Sequence, residues 1–369
     1  MQSTFIAVDL AKTVFQVSLA DEQRRIFKRQ RLTRSQFKRF LVHTPATRVI
    51  MEGCASAHHW GRVASEHGHA VKLLHARYVR PYVRRNKTDA ADADALIRAE
   101  ADPDIKPIPI KTEHQQALQS LHRIRAQWQS TRVSRINEAR SLLAEFGIVL
   151  PSGSAAIAAR LHEHIDQLPD LLQFTFAELV AEIGEYRDKL KHLDQLLIRL
   201  ARENPITQRL LNISGVGPTI ATALLGRVPN MHAFKRGRAF ASWLGITPRE
   251  HSSGSTRTLG PISRHGDTYL RTLLIHGARS ALLCAKRTAQ AGRTLTELQR
   301  WALDTQARVG HNKAAVALAN KWRASSGPSG PRLPTSTPIT RAAIADLHSP
   351  SAHFRRYERN AYAYRPQGR

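Results

Sequence analysis

Asn86-Lys87-Thr88-Asp89-Ala90-Ala91-Asp92-Ala93-Asp94-Ala95 is the stretch on which the rest of the chain hinges. The alanines after Thr88 favour helix, Thr88 fits an N-cap, and acidic residues suit the positive first turn of a helix. On a helix Asp89 and Asp92 share one face, with Cβ atoms roughly 5–6 Å apart. Asp94 lies two residues past Asp92 and points elsewhere. Carboxylates held that close repel each other unless a cation sits between them. Taken alone, the pair reads equally well as a solvated acidic helix start. Its surroundings decide, because Arg77, Arg80, Arg84, Arg85 and Lys87 precede it. An acidic pair inside a basic segment points to a divalent-metal site beside a phosphate backbone.

The whole chain supports that reading. Its 369 residues allow two or three domains, each with a core. It carries 56 Lys and Arg against 29 Asp and Glu, a formal net charge of +27, which implies a polyanionic partner. A basic amphipathic membrane binder is disfavoured, because the charge is spread along the chain and no apolar stretch approaches the ~20 residues of a membrane span. Met1-Gln2-Ser3-Thr4 lacks the basic start of a secretory signal, so a cytoplasmic protein is expected. Cys54 and Cys284 are too few for a disulfide framework or a zinc cluster.

Upstream of the acidic stretch, Phe5–Val8 reads as a strand ended by Asp9, and Val14–Leu19 as a second strand joined to it by a short link. Arg25–Leu32 reads as a third, basic strand and Ser35–Leu41 as a helix. Arg48–Met51 is a buried strand ended by Glu52, followed by a helix over Trp60–Gly68 and a strand over Ala70–Leu74. Strands followed by crossover helices imply an α/β layer with a mixed sheet. Asp9 and Glu52 each stand where an apolar strand runs out, and ligands bind at such strand ends. Either one alone reads most simply as an exposed turn residue. With Asp89 and Asp92 they make four carboxylates, enough to hold two magnesium ions about 3.5–4 Å apart for phosphodiester chemistry. Oxygen ligands suit Mg²⁺ or Mn²⁺ rather than zinc. His58 and His59 read as ordinary polar residues.

Downstream, Glu113–Phe146 is free of Pro and Gly, with Leu118, Leu121, Ile124 and Trp128 at helical spacing. Gly147–Gly153 breaks it. Ala155–Leu168 and Leu171–Arg202 continue helically, with Leu190, Leu193, Leu197 and Leu200 as a stripe. The region reads as a helical hairpin or coiled coil bridging two domains, or equally as a plain helical bundle. Ile213-Ser214-Gly215-Val216-Gly217-Pro218 resembles a helix–hairpin–helix turn, whose glycines let backbone N–H groups approach a phosphate. Phe234–Leu244, with Lys235, Arg236 and Arg238, reads as a basic amphipathic helix. Thr247–Pro261 reads as a polar loop and Tyr269–Leu283 as a helix. Pro and Ser crowd Ser325–Pro338, so the basic residues 323–369 are expected to be largely disordered. There Arg355, Arg356, Arg359 and Arg365 interleave with Phe354, Tyr357, Tyr362 and Tyr364, a pattern suited to single-stranded nucleic acid.

Asp9, Glu52 and Lys87-Thr88-Asp89-Ala90-Ala91-Asp92-Ala93 resemble the DEDD transposases of insertion sequences, often called the IS-one-ten family. Ile213–Pro218, Phe240-Ala241-Ser242-Trp243-Leu244-Gly245-Ile246-Thr247-Pro248-Arg249, Ser253-Gly254-Ser255 and Gly266-Asp267-Thr268-Tyr269-Leu270-Arg271 match in the same order. Tyr78-Val79-Arg80-Pro81-Tyr82-Val83 suggests the subgroup that inserts at conserved repeat-like targets. The resemblance covers roughly 1–322. It implies an RNase H-like (RuvC-like) domain over 1–112, a helical coiled-coil linker over 113–204, and a mostly α-helical transposase domain with the helix–hairpin–helix over 205–322.

The resemblance also implies roles. Asp9, Glu52, Asp89 and Asp92 take the metal positions, with Mg²⁺ or Mn²⁺ as cofactor, and Ser253 takes the nucleophile position. Arg84, Arg85, Lys87, Gly215, Gly217, Lys235, Arg236 and Arg238 are the candidate nucleic-acid contacts. A guide (bridge) RNA, donor and target DNA, and a homodimer assembling to a homotetramer are the implied partners. The expected function is RNA-guided DNA recombination. A RuvC-like junction-resolving nuclease that uses water, and a non-catalytic nucleic-acid-binding relative, are the alternatives.

Overall fold

The computed structural model describes residues 5–83, 89–150, 160–228, 234 and 237–322, with Asp89 described in its backbone alone. Strands β1 (Phe5–Asp9), β2 (Val14–Ala20), β3 (Ile26–Thr33), β4 (Arg48–Glu52) and β5 (Ala70–Leu74) form one sheet in the order β3-β2-β1-β4-β5. The β1–β2 and β2–β3 pairs are antiparallel; β1–β4 and β4–β5 are parallel. Side chains alternate across the sheet. Ile6, Val8, Val49 and Met51 enter a core with α1 (Arg34–His43) and α2 (Ala57–Glu66). In that core the rings of Phe15, Phe37 and Trp60 meet with centroids 5.1 to 5.3 Å apart. Phe5, Ala7, Ile50 and Leu74 enter a second core on the other face, with Ala95, Leu96 and Ala99 of α4 (Asp89–Glu100). Cover on both faces explains why β1 and β4 read as unbroken apolar runs. The basic strand β3 is an edge, where Lys28 and Arg31 can stay in water.

Two long helices follow the short helix α3 (Ala76–Val79): α5 (Glu113–Glu145) and α6 (Asp170–Glu203). Thr112 and Gln115 close a capping box at the start of α5. Arg125 pairs with Asp194 at 2.6 Å and Arg135 with Glu182 at 3.0 Å, so the helices run antiparallel. Ile136, Ala139 and Leu143 pack with Phe176 and Ile183 at the far end. The helix expected over 155–168 is a 3₁₀ helix over Leu161–Gln167, with 151–159 outside the described residues. Pro169 explains the ending: it disfavours the α conformation at Leu168, whose ψ is 155°.

The remainder is mostly helical: α7 (Pro205–Leu211), α8 (Pro218–Arg227), α9 (Gly237–Leu244), α10 (Thr268–Gln290), α11 (Glu297–Val309) and α12 (His311–Lys321). Leu210, Ile220, Leu224, Phe240, Leu244, Leu274, Ala278 and Leu318 lie in its core. Residues 247–261 are no open loop. They build a β-hairpin of β6 (Pro248–Glu250) and β7 (Leu259–Ile262). All three β6 residues are exposed, so no apolar alternation announces the strand.

A buried polar cluster ties the long helices to this remainder. His122 of α5 is fully buried, with Nε2 3.0 Å from Thr222 Oγ1 and Nδ1 3.0 Å from the Tyr269 hydroxyl. Thr222 Oγ1 donates to the Pro218 carbonyl at 2.7 Å. Its one proton is then spent, so Nε2 carries the imidazole hydrogen and Nδ1 accepts from Tyr269. Arg227 pairs with Asp267 at 2.6 Å and lies 4.7 Å from the centre of the Tyr269 ring. Asp267 also caps α10 by accepting from Leu270 N. It thereby fixes the point where α10 begins.

Candidate active site

Asp9 ends β1 and Glu52 ends β4, two adjacent parallel strands whose register pairs Val8 with Met51 just before them. By alternation Asp9 lies on the face of Phe5 and Ala7, and Glu52 on the face of Ile50. That is the face α4 covers. The direction of α4 is set by its ion pairs. At its carboxyl end Glu100 receives Arg48, at the start of β4, and Lys72 of β5. Midway, Asp94 accepts from Ser18 Oγ at 2.8 Å and pairs with Arg29 at 2.7 Å. The first turn of α4 therefore lies toward the carboxyl ends of β1 and β4. From Glu100 back to Asp92 the helix rises ~12 Å, and from Arg48 to Glu52 the strand advances ~13 Å, so the two acids are level.

Asp9, Glu52 and Asp92 are each half-buried. Asp94 is held by Arg29 and Ser18, as its position off the Asp89–Asp92 face requires. Its carboxylate in turn raises the pKa of Arg29. Among the described residues no group of three or more His, Cys, Asp or Glu side chains is arranged to hold a metal ion. The Asp89 side chain is not part of that set. The donors at this corner are all carboxylate oxygens, a set that fits Mg²⁺ or Mn²⁺.

Ser253 stands at the tip of the β6–β7 hairpin. Its N–H and carbonyl bond Thr256 at 3.3 and 3.1 Å, closing a two-residue turn over Gly254 and Ser255. Gly254 has φ +58°, the left-handed conformation that a type II′ hairpin turn asks of its first central residue. Ser252 Oγ donates to Glu250 Oε1 at 2.9 Å, and Arg257 Nε donates to the same oxygen at 3.1 Å. The hydrogen bonds from Arg257 and Ser252 hold the Glu250 carboxyl below its usual range. Among the described residues no side chain hydrogen-bonds Ser253 Oγ. Arg77 of α3 lies 3.2 Å from His265 Nδ1, linking the first domain to the segment that follows the hairpin.

The two hairpin glycines of the 213–218 motif differ. A Cβ on Gly215 would sit 2.5 Å from the Gly277 carbonyl and 2.7 Å from Trp322, so Gly215 serves the close approach of α10. Gly217, ahead of α8, opens onto free space. Arg238 is exposed on α9 and acts on the Glu250 carboxylate. Arg84, Arg85, Lys87, Lys235, Arg236 and residues 323–369 fall outside the described residues. The roles of Arg29, Ser18 and Glu100 in orienting α4 were absent from the sequence reading. The acid spacing along α4 held a hint for Asp94 alone, which lies off the face of Asp89 and Asp92.

A mixed sheet with acids at the ends of two neighbouring parallel strands, and more acids on the helix across them, is consistent with an RNase H-like transposase of the DEDD type. Comparison with known proteins agrees. A family model described as a transposase, of the DEDD type, matches residues 6–148, and one described as the transposase IS116/IS110/IS902 family matches 207–292. A probable family 20 transposase of Pseudomonas aeruginosa is 40% identical over 329 residues, 87% of this chain and 95% of that protein. The transposase for insertion sequence element IS1328 of Yersinia enterocolitica is 34% identical, over 86% of this chain and 94% of its own. That for IS1111A of Coxiella burnetii is 33% identical, over 86% of each. The chain belongs to the IS110 family of insertion-sequence transposases. Among the described residues no helix is long and apolar enough to cross a membrane.

Proposed function

We propose that this transposase is an RNA-guided DNA recombinase that cuts and rejoins donor and target DNA with Ser253 as nucleophile. The observation that carries the reading is the corner where Asp9 and Glu52, at the ends of β1 and β4, lie level with the first turn of α4. Asp9, Glu52, Asp89 and Asp92 would hold Mg²⁺ or Mn²⁺ there. A bound divalent ion supplies charge stabilisation at the scissile phosphate and at the leaving oxygen. Ser253 Oγ attacks phosphorus; the Oγ–P bond forms and the P–O3′ bond breaks. The hydroxyl proton passes to solvent and the 3′ oxygen is protonated as it leaves. The product is a serine–5′-phosphate link, which conserves bond energy for rejoining. A hydroxyl needs activation to be a nucleophile; among the described residues no side chain hydrogen-bonds Ser253 Oγ, and His251 beside it is a weak candidate base. The acids and the serine therefore meet in the assembled complex, a homotetramer in this reading, with the two parts contributed by different protomers. The formal charge of +27 supports nucleic-acid partners, guide RNA included.

The test is a suicide DNA substrate run on denaturing gels with the full chain, guide RNA and Mg²⁺. The wild type gives a protein–DNA adduct. Ser253→Ala gives none while still binding RNA and DNA, and Asp92→Asn behaves alike. An adduct that persists in Ser253→Ala, or cleavage at wild-type rate, moves the nucleophile to Ser252, Ser255 or water. Exchange without guide RNA refutes the guided step.

A further inference from the structure

The sheet has a second charged end, remote from the acids. There the Glu100 side chain, only 2% exposed, receives three cations: Lys72 Nζ at 2.6 Å, Arg24 Nη2 at 2.9 Å and Arg48 Nη1 at 3.5 Å. Elsewhere among the described residues, Asp94 takes Arg29 and Asp194 takes Arg125. One carboxylate, plus roughly half a negative charge from the carboxyl end of α4, leaves the three cations more than one positive charge in surplus. Neutralising Glu100 does not require Arg48, whose contact is the longest of the three.

The cations are also held in place and within reach of solvent. The guanidinium groups of Arg24 and Arg48 lie 5.0 and 4.9 Å from the centre of the Phe5 ring. Arg24 has φ +60°, a backbone conformation rare outside glycine, in a turn closed by its N–H to the Asp21 carbonyl at 3.0 Å. Yet the side chains of Arg24, Arg48 and Lys72 remain 38, 42 and 39% exposed. Cations already fixed lose little freedom when an anion arrives.

We propose that Arg24, Arg48 and Lys72 form a contact site for a backbone phosphate of nucleic acid at the amino ends of β4 and β5. The proposal rests on the reading of this protein as a nucleic-acid enzyme. A phosphodiester carries one negative charge and free oxygens that accept from guanidinium and ammonium groups, which matches the surplus. The acids lie at the opposite end of α4, ~12 Å along the helix axis, so this site positions nucleic acid and takes no part in the chemistry.

The experiment measures binding of the full chain to a short duplex DNA and, separately, to a folded RNA, across a salt series. Arg48→Gln removes the surplus cation while Lys72 and Arg24 still satisfy Glu100. Losing one phosphate contact should flatten the slope of log K against log[salt] by ~0.7–0.9, and weaken binding about five-fold near ~0.15 M salt. A loss with duplex alone assigns the phosphate to DNA; a loss with RNA alone assigns it to RNA. Arg135→Gln is the control, since Arg135 is 40% exposed but faces both Glu138 and Glu182, and its slope should match the wild type. Lys72→Gln is the second variant should Arg48→Gln fold poorly. Wild-type slopes in both Arg48→Gln and Lys72→Gln, on both nucleic acids, overturn the site. A wild type that binds neither nucleic acid overturns the functional reading instead.

Discussion

His122 should make this protein lose stability in mild acid. Burial, with Arg227 and Arg125 nearby, pushes its pKa from 6.5 down to about 4. The folded chain thus holds the imidazole neutral, while the unfolded chain takes up a proton near ~6.5. Because the unfolded state binds more protons between those values, stability rises with pH there. It is complete above ~6.5 and is lost as pH falls toward ~4. The difference in pKa corresponds to about 3 kcal/mol at its limit, and to about 2 kcal/mol between pH ~7 and pH ~5. The perturbation is His122→Gln, whose amide can donate to Thr222 and accept from Tyr269 but does not titrate. The assay is urea unfolding of wild type and variant at several pH values in this range. His58, also lowered to about 4, by burial, Lys111 and Arg62, is present in both proteins and cancels in their difference. The gap in stability between wild type and variant should shrink by about 2 kcal/mol from pH ~7 to pH ~5. Parallel pH profiles would refute the assignment of a neutral, hydrogen-bonded His122.

Gly215→Ala should lower the unfolding temperature by the equivalent of ~1–3 kcal/mol, because its Cβ meets Gly277 and Trp322 at φ +89°. Gly217→Ala, facing open space, should cost less than ~1 kcal/mol; thermal melts of both variants check the contrast. Asp94→Asn should weaken the hold of α4 on Arg29 and lower the melting temperature without changing the dependence of cleavage on divalent ions. Asp92→Asn should do the reverse, and equal effects from the two would undo the separation of structural from metal-facing acids on α4.

Much of this protein follows from sequence alone. Phe5–Asp9 and Arg48–Glu52 are apolar runs ended by an acid because both faces of those strands are covered, and period and length suffice to read them. The long helices α5 and α6 announce themselves by apolar spacing over many turns, where no local competitor intervenes. The family was legible because its motifs recur in order along most of the chain. Tertiary structure decided the rest. The β6–β7 hairpin carries no apolar alternation, since all three β6 residues are exposed and the strands are held by the turn and cross-strand bonds. Spacing puts Asp94 off the face of Asp89 and Asp92, but its partners, Arg29 and Ser18, come from distant strands that only the fold brings near. That Gly215 also lets Gly277 of α10 come close is visible only in the fold. Glu100 gains its three cations from three separate segments. Sequence spacing governs local periodicity and backbone conformation; pairings between distant residues are set by which faces the packed elements bring together.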